Sequence, residues 1–197
     1  MTSTLTARDR AKAERSDAII REAAHLFAAR GYNGVSLEDI GAAVGVSGPA
    51  VYRHFAGKQA LLGAVLVQVS EDLVSGGTLV FTSVADDAER MRALIRFHVD
   101  FALGHADVIR VHDRDVAHLS AADHEAVRRL QREYITLWIT ALGALLDAPT
   151  DELRLRVQAC FGLINSTPHS TKKAARSQST TAAVLAAMAE SALRAAI

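Results

Sequence analysis

An all-helical chain is predicted by three features: apolar residues recur at spacings of three and four, alanine is abundant, and only three prolines interrupt 197 residues. Half of the residues are hydrophobic, enough to build a core without disulfides or metal. The charge is balanced, 22 basic against 22 acidic side chains, so any nucleic-acid partner must be met by local patches rather than by a bulk field. Cys160 is alone, the N-terminus lacks the apolar run of a secretory signal, and no stretch reaches about 18 consecutive apolar residues. These features predict a cytoplasmic location and no membrane partner.

About nine helices are expected. Residues 1–12 read as a flexible basic arm, whose Arg8, Arg10 and Lys12, with Arg15 just behind, suit a DNA backbone or minor groove. The first helix buries Ile19, Ala23, Leu26 and Phe27 and stops at Gly31. Ser36 caps the next, with Asp39 three residues on, and Leu37, Ile40 and Val44 face inward until Gly45. Ser47 caps a third helix that tolerates Pro49 in its first turn, where backbone amides have no helical partner. A fourth runs from Lys58 to Leu73, and "SGGT" is expected to end it. Helices over about 86–103, 121–146, 150–166 and 181–197 follow, with Ser120 and Thr150 as caps. The charged tract "HADVIRVHDRDVAHLS" between the first two of these reads as irregular, and "PHSTKKAARSQST" as a polar loop.

Two short helices joined by "VGVS" form a helix-turn-helix candidate over residues 36–55. With about 100° per residue, Val51 and Phe55 set the buried direction of the second helix. Arg53 then points away from the core with Pro49 and Ala50 leaning the same way, while Tyr52 and His54 fall to either flank. That division suits a major groove: Arg53 reaches a guanine edge, and the flanking side chains meet phosphates. Lys58, at the start of the fourth helix, is placed to hold a phosphate. Through residue 73 the chain carries eight basic and eight acidic side chains, so one copy would make few phosphate contacts and bind weakly.

Residues 26–66 resemble the DNA-binding domain of the tetracycline-repressor-like (TetR/AcrR) family of bacterial transcription regulators. The resemblance rests on Phe27, Gly31 and Tyr32; on Ser36, Ile40, Gly45, Val46 and Ser47; and on Tyr52, His54, Phe55, Lys58 and Leu61, all at the family's relative spacing. It implies phosphate contacts from Ser36, Ser47, Tyr52, His54 and Lys58, with Gly48, Pro49, Ala50 and Arg53 in the base-facing stretch. Gly48 and Pro49 depart from the pattern, which often has a basic residue and a Gly-like one there. Gly57 replaces the more frequent Ser, Asn or Asp cap. The family further implies a DNA-binding head over residues 13–73 and a ligand-binding, dimerising helical domain over residues 80–197. The most frequent function in the family is that of a repressor released from a near-palindromic DNA operator by a small molecule.

In the second module, Leu94, Phe97, His98 and Phe101, with Tyr134, Leu137, Trp138 and Ala141, can line a mostly apolar pocket. They can equally pack as plain core. Asn165 and His169 add polar groups there. A hydrophobic or acyl-CoA-like effector fits such a lining. Val157, Phe161, Ile164, Leu185, Ala189 and Leu193 form stripes that predict a homodimeric four-helix contact. His98, His105, His112, His118 and His124 show no compact ligand spacing, so neither metal nor cofactor is expected. No nucleophile, base and orienting residue occur as a set, and no phosphate-binding glycine loop is present, which disfavours an enzyme. A protein-interaction module with a degenerate DNA head is the other alternative.

Overall fold

The computed structural model describes residues 6–167 and 178–195. Nine α-helices occur among these residues: α1 (Ala7–Arg30), α2 (Leu37–Ala43), α3 (Gly48–Tyr52), α4 (Lys58–Ser83), α5 (Asp87–Gly104), α6 (Ala106–Asp115), α7 (Ala121–Gly143), α8 (Thr150–Asn165) and α9 (Gln178–Leu193), with a 3-10 turn at Val116–His118. The helix ends follow local chemistry. Ser36 accepts a hydrogen bond from the Asp39 amide while the Asp39 carboxylate accepts from the Ser36 amide, closing a capping box. Asp86 and Ser120 cap α5 and α7 more simply, their side-chain oxygens accepting from the amides of Glu89 and Asp123. Thr150 is the first residue of α8 rather than its cap, with Pro149 in the cap position.

Two cores hold the helices, and α4 belongs to both. The first gathers Ile19 and Phe27 of α1, Ile40 of α2, Val51 of α3 and Leu61, Leu62 and Val65 of α4, together with Val111 of α6 and Val127 of α7. The second joins Leu94 and Val99 of α5, Trp138 and Leu142 of α7, Val157 and Ile164 of α8 and Leu185 and Ala189 of α9, with Leu73 and Phe81 of α4 against it. The head therefore packs directly on α6 and α7, with no linker in between. By length and composition alone α4 could cross a membrane, a property the broken apolar pattern of the sequence had not suggested. Its buried stripe is instead used twice within the fold.

Several sequence expectations are corrected. Residues 7–12 are not an arm: Thr6 accepts a hydrogen bond from the Asp9 amide in a capping box, and Arg8, Arg10 and Lys12 ride on the first turns of α1. α4 does not end at "SGGT". A Cβ on Gly76 would lie 2.5 Å from the Phe97 ring, and one on Gly77 2.5 Å from the Tyr134 ring, so these glycines admit neighbouring aromatics instead of breaking the helix. The charged tract after α5 is α6 and the 3-10 turn, with Ile109, Val111 and the carboxylate of Asp115 buried. Finally, Val157, Ile164, Leu185, Ala189 and Leu193 lie in the chain's own core, and Phe161 is partly buried against it. These six cannot form the main contact with a second copy.

Candidate DNA interface and effector cavity

Val51, fully buried, anchors α3, and the helix presents exposed Ser47, Pro49, Tyr52 and Arg53 on its outer side. Gly48 and Ala50 are half-buried, and a Cβ on Gly48 would stand 3.1 Å from the Glu38 side chain. Phe55 is only partly buried and lies past the last helical residue, so Val51 does most of the holding. Ser47 occupies the cap position, but its side chain makes no capping hydrogen bond. Ser36, Tyr52 and Lys58 come together around one open concavity of about 490 Å³, shared with Glu38 and Asp39. The Ser36 hydroxyl is tied to the Asp39 carboxylate at 2.7 Å, and these capping bonds hold that carboxyl below its ordinary range. Partial burial, then the positive charges of Lys12, Arg53 and Arg15, depresses the affinity of His54 for a proton. The basic residues of α1 that the sequence assigned to an arm thus share a field with the recognition helix.

Lys58 does not hang free. Its ammonium donates to the Val35 carbonyl at 2.9 Å and lies 4.5 Å from the centre of the Tyr32 ring. On the other side, Tyr32 stacks on His118 with ring centres 4.6 Å apart. Gln59 donates to the His118 carbonyl at 3.0 Å. Arg114 reaches the Phe27 and Ala28 carbonyls at the end of α1 and pairs with buried Asp115 at 2.9 Å. His25 of α1 meets Asp107 of α6 at 3.0 Å. α6 and the turn after it are therefore fastened to the head by aromatic, charged and capping contacts. Sequence reading missed this junction because its residues belong to the tract expected to be irregular.

A cavity of about 320 Å³ opens between α4, α5, α6, α7 and α8. Of the ten pocket residues expected from sequence, His98, Phe101, Tyr134 and Asn165 line it. Leu94, Phe97, Leu137, Trp138 and Ala141 pack beside it as core, because α5 also faces α4 and α9, and α7 also faces α4 and α8. His169 lies outside the described residues. Phe161, expected at the dimer contact, is a wall of the cavity, as are Ser70 of α4, Ile109, His112 and Asp113 of α6 and Gln131 of α7. His98 is 2% exposed. Burial lowers its pKa to about 4, with Asn165 partly offsetting, so the imidazole is neutral. Burial likewise raises the Cys160 thiol to about 12, so it is no nucleophile. Among the described residues no group of three or more His, Cys, Asp or Glu is placed to hold a metal.

A helix-turn-helix head packed without a linker on a helical body that encloses a cavity is the build of a ligand-responsive, DNA-binding transcription regulator. Comparison with known proteins agrees. The family of bacterial regulatory proteins named for tetR matches over residues 19–65, and a tetracyclin repressor-like C-terminal domain over residues 84–169. The chain belongs to this family, whose members are regulators and not enzymes. It is 34% identical over 88 residues to the HTH-type transcriptional activator FasR of Mycolicibacterium smegmatis, a match covering 45% of this chain and 40% of that protein. The HTH-type transcriptional repressor KstR2 of Rhodococcus jostii is 24% identical over 157 residues, 79% of this chain and 77% of the repressor. A TetR-family regulator from Bordetella parapertussis, 24% identical, superposes with a TM-score of 0.78 over 88% of this chain and 93% of its own.

Proposed function

We propose that the chain is a homodimeric repressor that holds a near-palindromic operator and lets it go when a small apolar effector fills the cavity beside His98 and Asn165. The observation that carries this reading is the double attachment of α6. Ile109 and His112 wall the cavity, and Arg114, with His118 just after the helix, fastens the head. A ligand that shifts α6 must move the end of α1 and the Tyr32–Lys58 pair with it. Only a ligand that favours one α6 position over the other changes the DNA-binding equilibrium.

In this reading the head covers residues 13–73 and the body residues 80–197, with α4 continuous across both. Arg53 reads a base, with Gly48, Pro49 and Ala50 allowing close approach to the groove floor. Ser36, Ser47, Tyr52, His54 and Lys58 take phosphates, joined by Lys12 and Arg15 of α1. The second copy meets exposed Leu155, Ala159 and Gly162 of α8 and Val184, Ala187 and Met188 of α9. These residues form small and apolar stripes open to solvent, the arrangement two helix pairs need to close a four-helix bundle.

The test is a mobility shift on the DNA upstream of the gene, repeated across salt concentrations. A sequence-selective complex whose salt slope falls by about one in Lys58→Ala supports the reading. Binding that is equally strong on unrelated DNA, or none at any salt, refutes it.

A further inference from the structure

Lys58, a phosphate contact in the reading above, sits in a closed circuit with Tyr32, His118 and Gln59, residues drawn from three parts of the chain. Its ammonium donates to the Val35 carbonyl at 2.9 Å and rests 4.5 Å from the centre of the Tyr32 ring. His118 stacks on the same ring, 18° from parallel and with centres 4.6 Å apart. The His118 carbonyl in turn accepts from Gln59 Nε2 at 3.0 Å, and Gln59 follows Lys58 on α4. Leu119, beside His118, is buried in the core of the head. The turn Val116–His118 therefore follows α6 in sequence yet packs as part of the head. Such a circuit bears on binding because a lysine that clamps a phosphate gives up the rotamer freedom of a long stem, a cost that falls when the ammonium is seated in advance. An ammonium carries three N–H groups. With one on Val35, two are left for a phosphate oxygen in the concavity that Lys58 shares with Ser36 and Tyr52.

We propose that His118 is a positioning residue for DNA binding: its ring holds Tyr32 in the orientation that seats the Lys58 ammonium for a phosphate. This rests on the DNA-binding reading above and names the side chain through which the body acts on the interface. Neither His118 nor Tyr32 lines the concavity, whereas Lys58 does, so what His118 contributes reaches the phosphate through the ladder of Tyr32 and Lys58. The other fastenings of α6 end elsewhere. Arg114 reaches backbone carbonyls of α1, and Asp107 reaches His25, none of them residues assigned to DNA. The attraction of an ammonium to a ring depends on how the ring is turned, and a stacked neighbour fixes that turn through its flat face. Phenylalanine at position 118 can supply such a face. Alanine and leucine cannot.

A double-mutant cycle on the full chain tests this, with binding to the duplex upstream of the gene read by fluorescence anisotropy across salt concentrations. The proteins are the wild type, His118→Ala, His118→Phe, Lys58→Ala and the double variant of His118→Ala with Lys58→Ala, each checked for an unchanged helical spectrum. Loss of an exposed cation–π seat costs about two- to fivefold in affinity per head, hence about four- to twenty-five-fold for two heads on one operator. His118→Ala is expected to weaken binding within that range and to lower the salt slope toward that of Lys58→Ala. His118→Phe is expected to bind as the wild type does. In the Lys58→Ala background, adding His118→Ala should cost nothing more. If His118→Ala does not fold, His118→Leu, which fills the space without a flat face, takes its place in the cycle. Wild-type affinity in His118→Ala, an equal loss in the Lys58→Ala background, or a His118→Phe as weak as His118→Ala would overturn the positioning role alone. Wild-type affinity and salt slope in Lys58→Ala would overturn the phosphate contact along with it. Absence of any binding by the wild type would overturn the DNA-binding reading beneath both.

Discussion

His98 makes the stability of this fold depend on acidity in a calculable way. The imidazole is held neutral by burial, with its pKa lowered from 6.5 to about 4. Between those two values the unfolded chain takes up a proton that the folded chain refuses. Stability contributed by this group is therefore complete above pH 6.5 and is lost as pH falls toward 4. At about 1.4 kcal/mol for each pH unit, the full window corresponds to about 3 kcal/mol. Such a loss is a large share of the stability of an ordinary domain, about 5–15 kcal/mol. The perturbation is His98→Phe, which keeps a flat ring among Tyr134, Trp138 and Phe161 and removes the titration. Urea unfolding of both proteins at one fixed chain concentration, from about pH 7 to about pH 4.5, gives the comparison. Carboxylates held low by their hydrogen bonds, Asp39 and Glu89 among them, titrate alike in both and cancel. The difference in stability should shift toward the variant by about 2–3 kcal/mol across that range. Parallel curves would refute the reasoning, since His98 would then be accepting its proton in the fold.

Other perturbations test other parts of the account. Gly77→Ala gains about 1 kcal/mol of helix propensity but drives a methyl against the Tyr134 ring, where overpacking costs about 1–3 kcal/mol. The net result should be no gain or a lower melting midpoint, and a clear rise would show that Tyr134 yields freely. Arg114→Ala removes the contacts to the Phe27 and Ala28 carbonyls and leaves the Asp115 carboxylate, 3% exposed, without that pair. It should lower stability by about 1–2 kcal/mol and weaken any effector-induced release from DNA, measured by anisotropy; unchanged release would remove α6 as the link. Met188→Arg, at a position 50% exposed in one chain, should yield a folded monomer by light scattering. Leu185→Arg should unfold the chain instead, since Leu185 is core. A dimer that survives Met188→Arg would contradict the proposed face.

The head was readable from sequence because its signals are local. Ser36 with Asp39, the positive φ of Gly31 and Gly45, and the buried spacing of Ile19, Ala23 and Phe27 all act within a few residues. What escaped were the features set by distant neighbours. Gly76 and Gly77 look like a helix stop until Phe97 and Tyr134 are placed over them. The tract that becomes α6 is dense in charge, and besides Ile109 and Val111 one of those charges, Asp115, turns inward to meet Arg114. The cavity lining was half legible for a similar reason. An apolar helix face can point to a ligand or to another helix, and periodicity cannot separate Phe101 from Leu94. The stripes singled out on α8 and α9 are largely buried within one chain. The most apolar positions of α8 and α9 are used inside the chain, and Leu155, Val184 and Met188 on the adjacent stripe are exposed. Polar exceptions carried more information: Asn165, singled out as an odd residue near a helix end, does face the cavity.

The central claim is that this chain reads DNA as a twofold dimer with Arg53 in the groove. Selection of bound sequences from a pool of random duplexes tests it most directly, using the wild type and Arg53→Ala in parallel. The account predicts one enriched, near-palindromic motif, with two half-sites about one helical turn or somewhat more apart. In the variant, preference should relax at one position in each half, at a cost of about 1–3 kcal/mol. Enrichment of no sequence, or of a single unrepeated half-site unaffected by Arg53→Ala, would contradict it.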